Sequence, residues 1–164
     1  MRNMKMLSLV IALFLTGLYS CKKDEIDDQK PVIDLAGAEI FPLSCDTIYF
    51  GEPFTLKLAF TDNKELGSYS INIHDNFDHH SHSTEVTVCE MWPVKTPVNP
   101  YVFIDEFSIP SGMTTYQVNQ VFEVPLSNSS GLLDEGDYHF FISLTDKEGW
   151  SAQKGLSIKM LRRN

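Results

Sequence analysis

The chain is predicted to be all-β, an immunoglobulin-like antiparallel sandwich. Three observations lead there: apolar residues recur at every second position in several short runs, Gly, Pro, Asn and Asp punctuate those runs, and no segment carries a helical stripe. In Phe54-Thr55-Leu56-Lys57-Leu58-Ala59-Phe60-Thr61 the large apolar side chains alternate, as a strand with one buried face requires. Tyr69, Ile71 and Ile73 repeat the pattern, as do Tyr138, Phe140, Ile142 and Leu144, and Leu156, Ile158 and Met160. Tyr116–Val118 and Phe122–Val124 read as one longer strand whose apolar face Gln120 interrupts. Weaker runs are Pro31–Leu35, Cys45–Phe50, Thr84–Cys89 and Tyr101–Ile109.

Two stretches echo each other. Phe60-Thr61-Asp62-Asn63-Lys64-Glu65-Leu66-Gly67 and Leu144-Thr145-Asp146-Lys147-Glu148-Gly149-Trp150 are each a strand, a Thr-Asp turn and the start of another strand. In an immunoglobulin-like sandwich the B–C and F–G turns share one end. Placing the echoes there makes 54–61 strand B, 67–74 strand C, 137–144 strand F and 154–161 strand G. The fold domain then spans residues 31–164.

What precedes the domain reads as a device for export. Arg2 and Lys5 are followed by an uncharged, mostly apolar run from Met6 to Leu18, the length of a signal-peptide core and short for a membrane span. It ends in Leu18-Tyr19-Ser20-Cys21, which resembles the lipobox of bacterial lipoproteins. That resemblance implies cleavage after Ser20, a signal peptide over 1–20, and a lipid on Cys21 that anchors the chain to the membrane. The alternative is an ordinary leader followed by a chance cysteine. Residues 21–30 are charged with little to bury, a solvated tether. Their start, Cys21-Lys22-Lys23-Asp24-Glu25, resembles the signal that carries Bacteroidetes lipoproteins to the exterior of the outer membrane. A charged linker carrying no address is the plainer alternative.

The chain has 13 Lys+Arg and 22 Asp+Glu, net −9. Loss of Arg2 and Lys5 with the leader deepens that negative balance. Such a surface repels phosphate backbones, so nucleic acid is excluded as a partner. Cys45 and Cys89 remain once Cys21 is acylated. An even pair in an oxidising compartment is expected to form a disulfide, with two free buried thiols as the alternative.

Four of the five histidines, His74, His79, His80 and His82, fall within nine residues. Imidazole is the commonest metal ligand near neutral pH, and a site needs three or four converging donors. In an extended stretch His80 and His82 share a side and His79 opposes them. The fifth, His139, is distant in sequence, yet C and F are antiparallel neighbours, so the end of C at His74 lies beside the start of F at His139. Strand parity puts both on the outer face, away from the core. The expected ligands are therefore His74, His80, His82 and His139, with Asp75 and Asp78 orienting imidazoles from behind. Nitrogen donors suit Zn, Cu or Ni better than Ca or Mg. Two plainer alternatives stand beside this: a solvated His-rich loop, or His74 and His139 as a satisfied pair at a sheet edge.

Strand A starts at the B–C and F–G end, so the tether attaches there and the histidines lie at the other end. A weaker, calcium-type set of Asp62, Asn63, Glu65, Asp146 and Glu148 occupies the tether end; acidic turn residues are usually turn chemistry alone.

The order Lys30-Pro31-Val32-Ile33, Ser44-Cys45-Asp46, Gly51-Glu52-Pro53-Phe54, Thr61-Asp62-Asn63, Ile73-His74-Asp75-Asn76-Phe77-Asp78-His79-His80-Ser81-His82 and Tyr138-His139-Phe140 resembles a family of Bacteroidetes lipoproteins classed as a domain of unknown function. The resemblance covers nearly all of the mature chain. It implies the leader and the sandwich, and no activity. No catalytic motif is legible either: His80-Ser81-His82 is similar to the start of a metallo-hydrolase motif, but the acidic residue and histidine that should follow are missing. The expected function is a surface lipoprotein that binds a metal without catalysis. The competing class is a metal-independent module that presents loops to a glycan or protein partner, with Met91-Trp92-Pro93 and Trp150 as contacts.

Overall fold

The computed structural model describes residues 26–163, and all of its regular structure is strand. The leader, Cys21 and Lys22 to Glu25 lie outside the described residues. The strands are β1 (Val32–Asp34), β2 (Thr47–Tyr49), β3 (Pro53–Thr61), β4 (Leu66–Asp75), β5 (Phe103–Ser108), β6 (Thr115–Glu123), β7 (Ser127–Asn128), β8 (Gly131–Leu132), β9 (Gly136–Asp146) and β10 (Ser151–Leu161). They form a three-stranded sheet, β1-β3-β6, a five-stranded sheet, β2-β10-β9-β4-β5, and a small hairpin, β7-β8.

The sandwich follows from the alternation. On β3, Leu56, Leu58 and Phe60 are buried; on β4, Tyr69, Ile71 and Ile73; on β9, Tyr138, Phe140, Ile142 and Leu144; on β10, Leu156, Ile158 and Met160. These inward faces meet between the two larger sheets, the period-2 solution to burying one side of each strand. Truncating a side chain as enclosed as Phe140 to Ala costs about 3–5 kcal/mol. The strands read as B, C, F and G are β3, β4, β9 and β10. All pairs are antiparallel except β2 with β10, which run parallel.

One signature of the fold escaped the sequence reading. Tyr138 donates its hydroxyl to the carbonyl of Asp134, four residues upstream, at 2.6 Å and accepts from the Tyr101 N–H at 3.1 Å. That is the tyrosine-corner arrangement near the start of strand F in immunoglobulin-like sandwiches. It fixes the approach to β9, one residue before His139.

The expected strand at Thr84–Cys89 is absent; that segment is irregular and leaves Val86 and Val88 fully out in solvent. It belongs to a strap that leaves the outer face of the five-stranded sheet, where the His80 carbonyl meets His139, and reaches β10 at Thr84, which bonds both backbone groups of Gly155. The expected disulfide closes the strap: Cys45 and Cys89 are bonded, 44 residues apart in sequence.

Candidate metal centre

β4 puts Asn72 and His74 on the outer face because Ile71 and Ile73 take the core side. His74 and His139 stand directly opposite each other in the β4–β9 register. After Asp75 the chain turns away from the sheet. Asn76 N–H donates to the Asp137 carbonyl at 2.8 Å, and His79 N–H donates back to the Asn76 carbonyl at 3.2 Å. His79 completes this turn at φ 60°, a left-handed conformation uncommon for a side-chain-bearing residue. Phe77 anchors the turn, buried against the Tyr138 ring at 5.3 Å.

The strap then runs over β9 and β10. The His80 carbonyl accepts from His139 Nε2 at 3.0 Å. The His82 backbone lies on Gly155, where any β-carbon would collide with the His82 carbonyl oxygen. Ser83 Oγ and Thr84 N–H donate to the Gly155 carbonyl at 3.2 and 3.0 Å, and Gly155 N–H donates to Thr84 Oγ1 at 3.0 Å. Beyond the exposed valines the strap is tied down at Cys89, whose partner Cys45 donates its N–H to the Ser157 carbonyl of β10 at 2.7 Å. Asp137 holds the return leg, accepting the Trp92 N–H at 2.7 Å.

Four imidazoles gather beneath and within this strap. His74, His80 and His82 each offer a ring nitrogen, and the three nitrogens lie within 4.8 Å of one another. His74 Nε2 and His82 Nδ1 are 3.2 Å apart. Two nitrogens bound to one tetrahedral zinc at about 2.0–2.1 Å stand roughly 3.3–3.4 Å apart, so this pair already has the spacing of two ligands. The His139 ring centre is 5.4, 5.0 and 5.3 Å from those of His74, His80 and His82.

Two ring orientations are fixed from behind. His74 Nδ1 contacts Asn72 Oδ1 at 2.9 Å; an amide oxygen only accepts, so Nδ1 carries the proton and Nε2 keeps its lone pair. His80 Nδ1 contacts Asp78 Oδ1, which leaves His80 Nε2 free in the same way. These are the outer partners that metal-binding histidines use. Asp78 is the carboxylate that contacts a ring nitrogen here. Asp75 acts on His74 through charge, opposing the downward shift of its pKa, and Asn72 makes the hydrogen bond.

His139 departs from expectation in one respect. It occupies the outer face, as parity requires, but the strap covers it to 1% exposure. Its Nε2 must donate to the His80 carbonyl, which leaves Nδ1 as a buried lone pair with no hydrogen-bond partner among the described residues. Its immediate role is to hold the backbone of His80. His79 turns elsewhere, its Nε2 contacting the Trp92 carbonyl at 2.9 Å.

Burial holds the His74 pKa below the ordinary histidine value of 6.5, and the nearby His82 and His80 rings add to the shift. Burial also lowers that of His139, with the same neighbours contributing. Both rings therefore resist protonation, and the neutral ring is the one that binds metal.

The sequence reading passed over Gly155 and Asn72. A glycine inside an apolar strand pattern signals close approach of another backbone, and Asn72 shares the outward parity of His74 two residues on. Both signals were available.

The chain belongs to the family described as a domain of unknown function, DUF4625, which it matches over residues 19–161. No curated protein matches the sequence.

Proposed function

We propose that this member of the family is a lipid-anchored outer-membrane protein, facing the cell exterior, whose sandwich binds a transition metal ion without catalysing a reaction. The observation that carries the metal reading is the convergence of the His74, His80 and His82 nitrogens within 4.8 Å. The ligands come from a strand end and a strap, two pieces of chain that meet only in the folded state. Asn72, Asp78 and His139 pre-set their orientation. A nitrogen-only set favours Zn, Cu(II) or Ni over oxygen-seeking ions. Three histidines leave a fourth position for water or a donor from a partner.

The anchor reading rests on the lipobox-like Leu18-Tyr19-Ser20-Cys21 and the lysine and acidic residues after it. Binding without turnover fits a site spread on a sheet face. A cavity of about 450 Å³ lies on the three-stranded sheet, lined by Asp34, Lys57 and Gln117 among others, away from the histidines.

Calorimetric titration of the untagged full chain in detergent with Zn, Cu(II) and Ni tests the metal reading. One saturable site that disappears when His74, His80 and His82 are all changed to Ala supports it; unchanged binding in that variant ends it. Cys21→Ser should abolish lipid labelling and release the chain from the membrane fraction.

One observation favours a second reading. Val86 and Val88 are 98% and 93% exposed on the strap, and Trp92 follows them, 40% exposed. An apolar run held out beside the histidines suits a protein or glycan partner. Partner capture that persists in the triple alanine variant and fails in Val86→Ser with Val88→Ser would favour that module.

A further inference from the structure

The opposite end of the sandwich carries a second cluster, built of oxygen instead of nitrogen. Three pieces of chain meet there: the turn after β3, the turn after β9 and the segment before β1. Asp27, from that last segment, is 4% exposed although the residues after it, Asp28, Gln29 and Lys30, are all charged or polar. Its Oδ1 accepts from Asn63 Nδ2 at 2.9 Å and Gln29 N–H at 3.1 Å, and its carbonyl accepts from the Trp150 indole N–H at 3.0 Å. Asp146 is 4% exposed too, and its Oδ1 accepts the N–H groups of Gly149 and Trp150 at 2.6 and 2.8 Å.

In both residues one oxygen is engaged and the other is not. Asp27 Oδ2 and Asp146 Oδ2 are buried with no hydrogen-bond partner among the described residues, and so is Oδ1 of the adjacent Asp62. Asp27, Asp146 and Glu148 each present a carboxylate oxygen, the three within 4.8 Å of one another. A buried carboxylate oxygen without a partner, beside other carboxylates, is costly unless a cation joins them. The positive charge of Lys64 acts on Asp27 but leaves those oxygens without donors.

We propose that Asp27, Asp146 and Glu148 form a calcium site that clasps the segment before β1 to the sandwich. Calcium takes hard oxygen donors in irregular arrays and tolerates a site that backbone oxygens or water complete, whereas magnesium demands a tighter octahedron. Zinc and copper find no nitrogen or sulfur among these donors. Of the turn residues read from the sequence, Asp146 and Glu148 belong to this cluster. Glu65 Oε1 accepts the Gly112 N–H at 3.0 Å and serves the neighbouring turn, while the Asn63 amide nitrogen is spent on Asp27. Asp27 joins Asp146 and Glu148 from outside the turns. Filling the site fixes the point where the chain enters the domain, at the end away from the histidines.

Terbium luminescence reads this site directly, since Trp150 is bonded to Asp27 and serves as its antenna. The full chain in detergent is titrated with Tb³⁺ under tryptophan excitation, then with Ca²⁺ and Mg²⁺ as competitors. The expected result is saturable emission that Ca²⁺ displaces at a concentration at least tenfold lower than Mg²⁺. Glu148→Gln alters an exposed side chain and should weaken Ca²⁺ at least tenfold without affecting folding. Asp27→Asn should do the same. The triple histidine variant should leave emission unchanged, so the two sites stand or fall separately. Absence of saturable emission, or Ca²⁺ affinity indifferent to both Glu148→Gln and Asp27→Asn, overturns the proposal.

Discussion

The backbone of His82 rests on the backbone of Gly155, with no room for a β-carbon between them. This contact lets the strap lie flat on β10, and flatness brings the His82 ring to His74. Gly155→Ala must lift the strap. We expect metal affinity to fall at least tenfold and stability by about 1–3 kcal/mol, the usual cost of overpacking. Calorimetry and chemical denaturation of the same variant measure both. Unchanged affinity would mean that the strap does not position His82.

Strands β3, β4, β9 and β10 were legible because each buries one face and so writes its period into the sequence. Parity on β4 and β9 places His74 and His139 together, 65 positions apart, from the sequence alone. The strap was not legible. Thr84, Val86 and Val88 alternate like a strand, but strand propensity reports a fit to a half-buried surface, and beyond Thr84, which bonds Gly155, this segment pairs with no strand and leaves both valines in solvent. The burial of His139 follows from the strap, so it was missed with it. Asp27 was hidden for another reason: a charged segment has no apolar period to read, and only the fold shows that one of its carboxylates is enclosed.

The disulfide ties the far end of the strap to the segment that lies along β10. In the chain-entropy model a closed loop of this length contributes about 4 kcal/mol. Replacing both Cys45 and Cys89 by Ser should lower stability by up to that amount and weaken metal binding severalfold, since the strap is then held without a covalent tie, by its hydrogen bonds to Gly155, His139 and Asp137. Thiol titration of the unfolded, unreduced chain should find neither cysteine free. Equal metal affinity with and without the bond would confine its role to stability.

Acid should act through His74 and His139. Both have folded-state pKa values below the ordinary 6.5, so in the window beneath 6.5 the unfolded chain binds more protons than the folded one. The stability that comes from keeping these rings neutral is complete above about pH 6.5 and is lost as pH falls through the lowered values. Denaturation of the metal-free protein at pH 7.5 and pH 5 should show the loss. The carboxylates with lowered values, Asp27, Asp78 and Glu135, titrate well below this window and do not confuse it. His139→Gln should flatten the slope, and a slope unchanged in that variant would remove His139 from the account.

The sharpest comparison sets His139 against His79. His79 is inside the histidine tract but bonds the Trp92 carbonyl, and His139 is 57 positions beyond His82 but holds the His80 carbonyl. A loose His-rich loop would depend on the first; a folded site depends on the second. His79→Gly keeps the left-handed turn at φ 60° without strain, so only the imidazole is lost. We expect metal affinity to change less than threefold in that variant. His139→Ala removes the donor that fixes His80 and should cost about tenfold or more, within the range typical when a partner behind a metal ligand is removed. His139→Gln restores an N–H donor in reach of the same carbonyl and should recover part of the loss if positioning is the role. If glutamine binds no better than alanine, the imidazole itself is needed, and the buried Nδ1 of His139 becomes the fourth ligand.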